Sequence, residues 1–140
     1  MSQRSARIKP LCAIFCDDIR REDNGKELLI GVYSGSLQLP VFPAPVMLSV
    51  WVPFERSGIG KVPIEFRLLG PDDDRVIGYG TIVLDFTESD HTVGSFPLRG
   101  LTAMLPRPGE ITFQLRQHDE SWMTVGKLPI ERREISVSPI

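Results

Sequence analysis

Apolar and polar residues alternate with a period of two along most of the chain, and the 3.6-residue spacing of an amphipathic helix is scarce. The clearest stretch runs from Val46 to Phe54. Val46, Leu48, Val50, Val52 and Phe54 fall on one side of it, with Met47, Ser49 and Trp51 on the other. A second stretch carries Val62, Ile64, Phe66 and Leu68 inward and Glu65 and Arg67 outward. A third is predicted over Val76 to Phe86, with Val76, Ile82 and Leu84 on one face, Ile77 and Tyr79 on the other, and Gly78 and Gly80 marking a bulge or a close backbone approach. Thr92 to Leu98 predicts a short strand. Ile111, Phe113 and Leu115 alternate with Thr112, Gln114 and Arg116, and Trp122 to Ile130 returns with an irregularity near Gly126. Successive side chains of a strand point to opposite faces, so each segment presents one apolar face that another layer has to cover.

Twelve glycines and twelve prolines cut the chain at short intervals, which favours strands and turns over helices. Asp23-Asn24-Gly25-Lys26 predicts a type I′ hairpin turn with Asn24 and Gly25 at the two positive-φ positions and Asp23 opposite Lys26. Its strands would be Leu11–Glu22 and Glu27–Leu39. The return strand is apolar on both sides (Leu28, Ile30 and Val32; Leu29 and Tyr33), which predicts a central strand or one covered on both faces. Prolines at 40, 43 and 45 bar a central strand there and predict a rigid crossover with Phe42 plugging the core. Further turns are expected at Arg56–Gly60, Gly70–Asp74, Thr87–Asp90, Leu105–Gly109 and His118–Ser121. The spacing predicts an all-β fold, an antiparallel β-sandwich of about seven to nine strands, forming a single domain over residues 1–140 with 1–8 and 134–140 as frayed tails.

Composition narrows the functions open to such a domain. Hydrophobic residues make up 41% and charged residues 24% of the 140, as in ordinary globular proteins. The formal net charge is −2 and the basic residues form no long run, which argues against a nucleic-acid partner. No stretch approaches the roughly 20 apolar residues of a membrane span, and the polar start from Met1 to Lys9 predicts no secretory leader. Cys12 and Cys16, on one strand, would stand roughly 13 Å apart, beyond the roughly 7 Å reach of a disulfide. Two unpaired thiols suit a reducing compartment and predict a cytoplasmic location.

The run from Pro108-Gly109 into Ile111-Thr112-Phe113, followed by a final hairpin, resembles the penultimate strand of immunoglobulin-like and fibronectin type III-like sandwiches, with Ile111 standing where those domains carry a corner tyrosine. A broader likeness rests on Cys16-Asp17-Asp18-Ile19-Arg20, Asn24-Gly25-Lys26, Leu29-Ile30-Gly31-Val32-Tyr33, Phe42-Pro43 and Pro108-Gly109-Glu110. Together these are similar to an uncharacterised bacterial family of small domains of unknown function. The resemblance implies a small bacterial β domain and brings no activity or site residues with it.

Candidate chemistry is sparse. Asp72, Asp73 and Asp74 form an acidic turn that calcium would favour if Asp17, Asp18, Asp119 or Glu120 joined it, as at the loop end of a C2-like sandwich; aspartates are equally ordinary in a turn after Gly-Pro. His91 and His118 each neighbour an aspartate and would serve a small hydrolase, but the Gly-x-Ser-x-Gly elbow is absent. Asp18 and Arg20 share a strand face, as a polar binding spot or a surface ion pair. Trp51 and Met47 lie opposite the core stripe of their strand, as Tyr79 does on its own; if they adjoin, they form an apolar patch of the kind that anchors a partner. The expectation is a non-enzymatic protein–protein interaction or structural module without a cofactor, its partner a protein or a second copy in a homodimer. A C2-like ligand-binding sandwich and a small hydrolase stand as alternatives.

Overall fold

The alternating segments fold as strands in a computed structural model of the chain, which describes residues 5–72, 75–88 and 91–134. The strands are β1 (Arg7–Pro10), β2 (Ile14–Arg21), β3 (Glu27–Val32), β4 (Leu37–Leu39), β5 (Ala44–Ser57), β6 (Gly60–Leu69), β7 (Val76–Phe86), β8 (Val93–Leu105), β9 (Gly109–Gln117) and β10 (Met123–Arg132). They form two sheets. In the first, β5 is the spine: β8 runs along one side of it, while β1 and then β2 share the other, and β3 pairs outside β2. The second has the order β4-β10-β9-β6-β7, with β4 parallel to β10 and the remaining pairs antiparallel. The segment between β4 and β5 crosses from one sheet to the other, as its prolines predict.

The inner faces meet in one cluster. Leu48, Val50, Val52 and Phe54 of β5 and Phe96 and Leu98 of β8 pack against Val62, Ile64, Phe66 and Leu68 of β6 and Ile111, Phe113 and Leu115 of β9. Each large aliphatic or aromatic side chain removed from water in this way contributes about 1.5–3 kcal/mol. Ile111, at the position of the corner tyrosine, is fully buried in that core. β5 keeps its alternation across a bulge at Ser49, whose hydroxyl accepts the Gly100 N–H at 3.3 Å.

Several local expectations are corrected. The first hairpin closes with the Gly25 N–H on the Glu22 carbonyl and the Glu22 N–H on the Lys26 carbonyl, so Glu22 rather than Asp23 faces Lys26. Gly25 alone has positive φ there (86°), and the Asn24 side chain turns back to accept the Lys26 N–H at 3.0 Å. The turn with two consecutive positive-φ residues forms instead at His118 (53°) and Asp119 (59°), between β9 and β10. β3 is an edge strand, not a central one, and Leu28, Ile30 and Val32 are 40–49% exposed. β8 runs on to Leu105 because the chain passes an irregularity around Gly100 (φ 63°) and resumes pairing with β5. A register shift at the start of β7 turns Ile77 toward the core and leaves Val76 exposed, the reverse of the simple alternation.

Of the tails expected at 1–8 and 134–140, residues 1–4 and 135–140 lie outside the described residues, and the chain is packed from residue 6. Ala6 and Ile8 are buried, and the buried Gln117 amide bridges the flank of the sandwich to reach them. Gln117 Oε1 accepts the Ile8 N–H at 2.9 Å, and Gln117 Nε2 donates to the Ile8 carbonyl at 2.8 Å. His118 Nε2 lies 2.8 Å from the Ala6 carbonyl, and the Arg7 guanidinium pairs with the Glu120 carboxylate. These contacts hold the positive-φ turn, whose non-glycine residues each cost about 1–3 kcal/mol of backbone strain. Gln117→Leu would strand the buried N–H and C=O of Ile8 and is expected to lower stability by about 2–4 kcal/mol in urea unfolding. A loss below about 0.5 kcal/mol, the range of an ordinary surface change, would contradict this role.

Candidate functional site

The flank closed by Gln117 has an open counterpart. β7 ends the second sheet and β8 ends the first, and among the described residues both present an unpaired edge on the same side of the sandwich. Between them runs a line of shallow hollows. The first, about 340 Å³, is lined by Pro71, Asp72, Val76, Ile77 and Met104. Met47, Ile77, Thr102 and Met104 line the next, and Gly78, Tyr79, Gly100 and Thr102 a third, so shared residues make the groove continuous. Met47 (64%), Tyr79 (60%) and Met104 (57%) stand exposed along it, with the charged Asp72 and Arg75 at one end, and Val83 (62%) lies farther along the outer side of β7. The register of β7 on β6 puts Ile82 and Leu84 on the core side and Tyr79, Thr81 and Val83 on the outer side. Single exposed apolar residues need no explanation, but several of them beside unpaired backbone are what an association surface looks like.

Two of the sequence-derived candidates, Met47 and Tyr79, therefore lie along this flank. Trp51 does not. Its indole N–H donates to Glu27 Oε1 at 3.1 Å, and the Ser95 hydroxyl donates to the same oxygen at 2.7 Å. Glu27 sits at the far end of the β2–β3 hairpin, beyond the point where β2 leaves β5, so the hairpin bends back across the outer face of the first sheet and covers the tryptophan. Gly31 (φ 68°) permits the bend: a Cβ there would overlap the Asp17 carboxylate, which instead accepts the Tyr33 hydroxyl proton. Burial, then the hydrogen bond to Asp17, pushes the Tyr33 phenol up to about 12. Glu27 Oε2 is buried with no hydrogen-bond partner.

Asp18 and Arg20 do share a face, as a 3.1 Å ion pair on the exposed side of this hairpin. The hydrogen bond from Arg20, then that from the Ile19 N–H, holds the Asp18 carboxyl below the usual carboxylate range. Solvent screens an exposed pair of this kind, so it contributes little to stability. Cys12 and Cys16 are both free thiols, and burial followed by the charges of Asp17 and Asp18 pushes the Cys16 thiol up, the opposite of activation. Asp72 is paired with Arg107, while Asp73 and Asp74 lie outside the described residues. Among the described residues no three His, Cys, Asp or Glu side chains gather as a metal site would require. His118 is engaged by the Ala6 carbonyl. His91 lies in an exposed loop beside the Arg56–Asp85 region, and its neighbour Asp90 is outside the described residues.

Sequence reasoning passed over three participants. Met104 escaped because Gly100 hides the continuation of β8. Glu27 escaped because its contacts depend on the bent hairpin. Trp122 lies between two guanidiniums, Arg67 at 4.2 Å and Arg116 at 4.6 Å from its ring centre, with Arg116 paired to Glu65 at 2.7 Å. Arg67 also donates to Gln114 Oε1 at 2.8 Å, so both guanidiniums of this stack are engaged by the ring and by a neighbouring side chain.

The matching family model is that of a family of unknown function (DUF6941), over residues 11–131. No curated protein matches the sequence.

The latch over Trp51 has a direct readout. In a Trp122→Phe background, Glu27→Ala is expected to shift the remaining tryptophan emission to the red, raise its quenching by acrylamide, and cost about 1–3 kcal/mol of stability. Unchanged emission and quenching would show that the hairpin covers Trp51 without the carboxylate.

Proposed function

The chain belongs to the family of unknown function DUF6941, and from that premise we propose that it is a non-enzymatic interaction module that docks a protein on the open flank between β7 and β8. The observation that carries the reading is that Met47 and Met104 on the first sheet and Tyr79 and Val83 on β7 are each more than half exposed, beside two strand edges that no described strand pairs. An extended segment laid along such an edge gains main-chain hydrogen bonds for affinity, while alternate side chains enter the hollows for specificity. The net charge of −2 favours a protein over a nucleic acid as the partner. The same reading takes the domain as an immunoglobulin-like module of a bacterial cytoplasm. Its support is the parallel pairing of β4 with the last strand, and the free thiols Cys12 and Cys16, which suit a reducing compartment.

The test is site-specific photo-crosslinking in the native cell, with benzoylphenylalanine placed at Tyr79 on β7 or, as an exposed control on another edge strand, at Leu28 on β3. Position 79 is expected to yield a discrete protein adduct and position 28 none. No adduct at position 79, or the same adducts from both positions, would contradict a dedicated docking flank.

A further inference from the structure

We propose that the partner on the β7 edge is a second copy of this chain, added strand to strand and antiparallel about Thr81. The inference rests on the interaction reading above and supplies the identity of the partner. It begins from how the molecule treats its strand edges. An exposed edge is a template for pairing, and proteins that avoid such pairing blunt it with charge, proline, a kink or brevity. β1 has four residues, carries Arg7 and Lys9, and ends at Pro10. β4 has three residues. β3 is kinked at Gly31 (φ 68°) and bent over its own sheet. β8 carries Pro97, Arg99 and the positive-φ Gly100 within its length. β7 alone has none of these devices between Gly78 and Leu84: no charge, no proline and no positive-φ residue.

The same seven residues are self-complementary. With Thr81 facing Thr81 across a twofold axis, each Tyr79 lies opposite a Val83 of the other copy. Those are the two most exposed large apolar side chains of the strand. Aromatic against β-branched, and threonine against threonine, are favourable cross-strand pairs. On the inner face each half-buried Ile82 lies opposite Gly80, whose missing side chain leaves its place to the Phe66 ring. The one acidic residue of the strand, Asp85, falls opposite Ile77 and not opposite its own copy, so no like charges meet. A twofold contact requires one patch to complement itself, and this pattern does so while completing the ladder that β7 leaves open. Joining two second sheets in this way would make one continuous ten-stranded sheet from the five strands of each copy.

Sedimentation equilibrium on the full chain tests the proposal through charge reversal at the axis. Wild type is expected to be a dimer that dissociates on dilution. Thr81→Lys alone and Thr81→Glu alone each set like charges face to face and are expected to be monomers with unchanged circular dichroism; mixed in equal amounts, they return to dimer. Should Thr81→Lys fail to fold, Thr81→Glu alone, which meets its own copy across the axis in the same way, still reads the dissociation. A wild type that stays monomeric at every concentration, a dimer that both variants retain, or a mixture that stays monomeric would each overturn the proposal. The failures are separable: a monomeric wild type that still yields an adduct with another protein at position 79 removes the second copy and leaves the docking flank standing. A chain with no adduct at position 79 removes both.

Discussion

A strand leaves a row of N–H and C=O groups along any side that has no neighbour, and those groups have to be paired, hydrated or hidden. That constraint orders the whole molecule. On one flank the chain closes the gap between its sheets with a side chain: the Gln117 amide takes the place of a strand for Ile8, accepting its N–H and donating to its carbonyl. The neighbouring strained turn at His118 and Asp119 is tolerated because the Ala6 carbonyl, Arg7 and Glu120 hold it in place. On the other flank β7 and β8 run to the surface with no such device between them. The asymmetry between a sealed side and an open one is the basis for placing the function where it has been placed.

The first sheet treats its outer surface differently. Trp51, large and on the wrong side of β5 for the core, is neither left exposed nor used as an anchor. The β2–β3 hairpin bends back over it, and Glu27 ties it to Ser95. The bend is possible only because Gly31 adopts a left-handed backbone next to the Asp17 carboxylate. Covering that face takes Trp51 out of the exposed apolar surface, which is left to the β7–β8 side and to Leu28, Ile30 and Val32 on the kinked edge of β3.

Alternation made most of the strands legible from residues alone. β5, β6 and β9 sit within three residues of where their apolar stripes place them, and the resemblance to a family of small domains of unknown function agrees with the family to which the chain belongs. What alternation could not reveal was each place where tertiary contacts outweigh local preference. Asn24-Gly25 has the residues for a two-residue turn, yet the wider loop forms there, and the paired positive-φ positions fall to His118 and Asp119, which local propensity alone would not choose. Leu28, Ile30 and Val32 read as a strand covered on both faces, but they border water at an edge. Of the site, Met47 and Tyr79 were legible as outward apolar residues. Met104 was hidden by the Gly100 irregularity, and Trp51 was misplaced because nothing local predicts that a hairpin will fold over it.

Amide hydrogen exchange read residue by residue along β7, across a dilution series of the purified chain, addresses the central claim most directly. If the open edge is completed by a partner copy, the outward-facing amides between Gly78 and Leu84 will be protected at high concentration and lose that protection as the protein is diluted, while β3 shows no such dependence. Exchange of those amides at the rate of an open edge at every concentration would contradict the account.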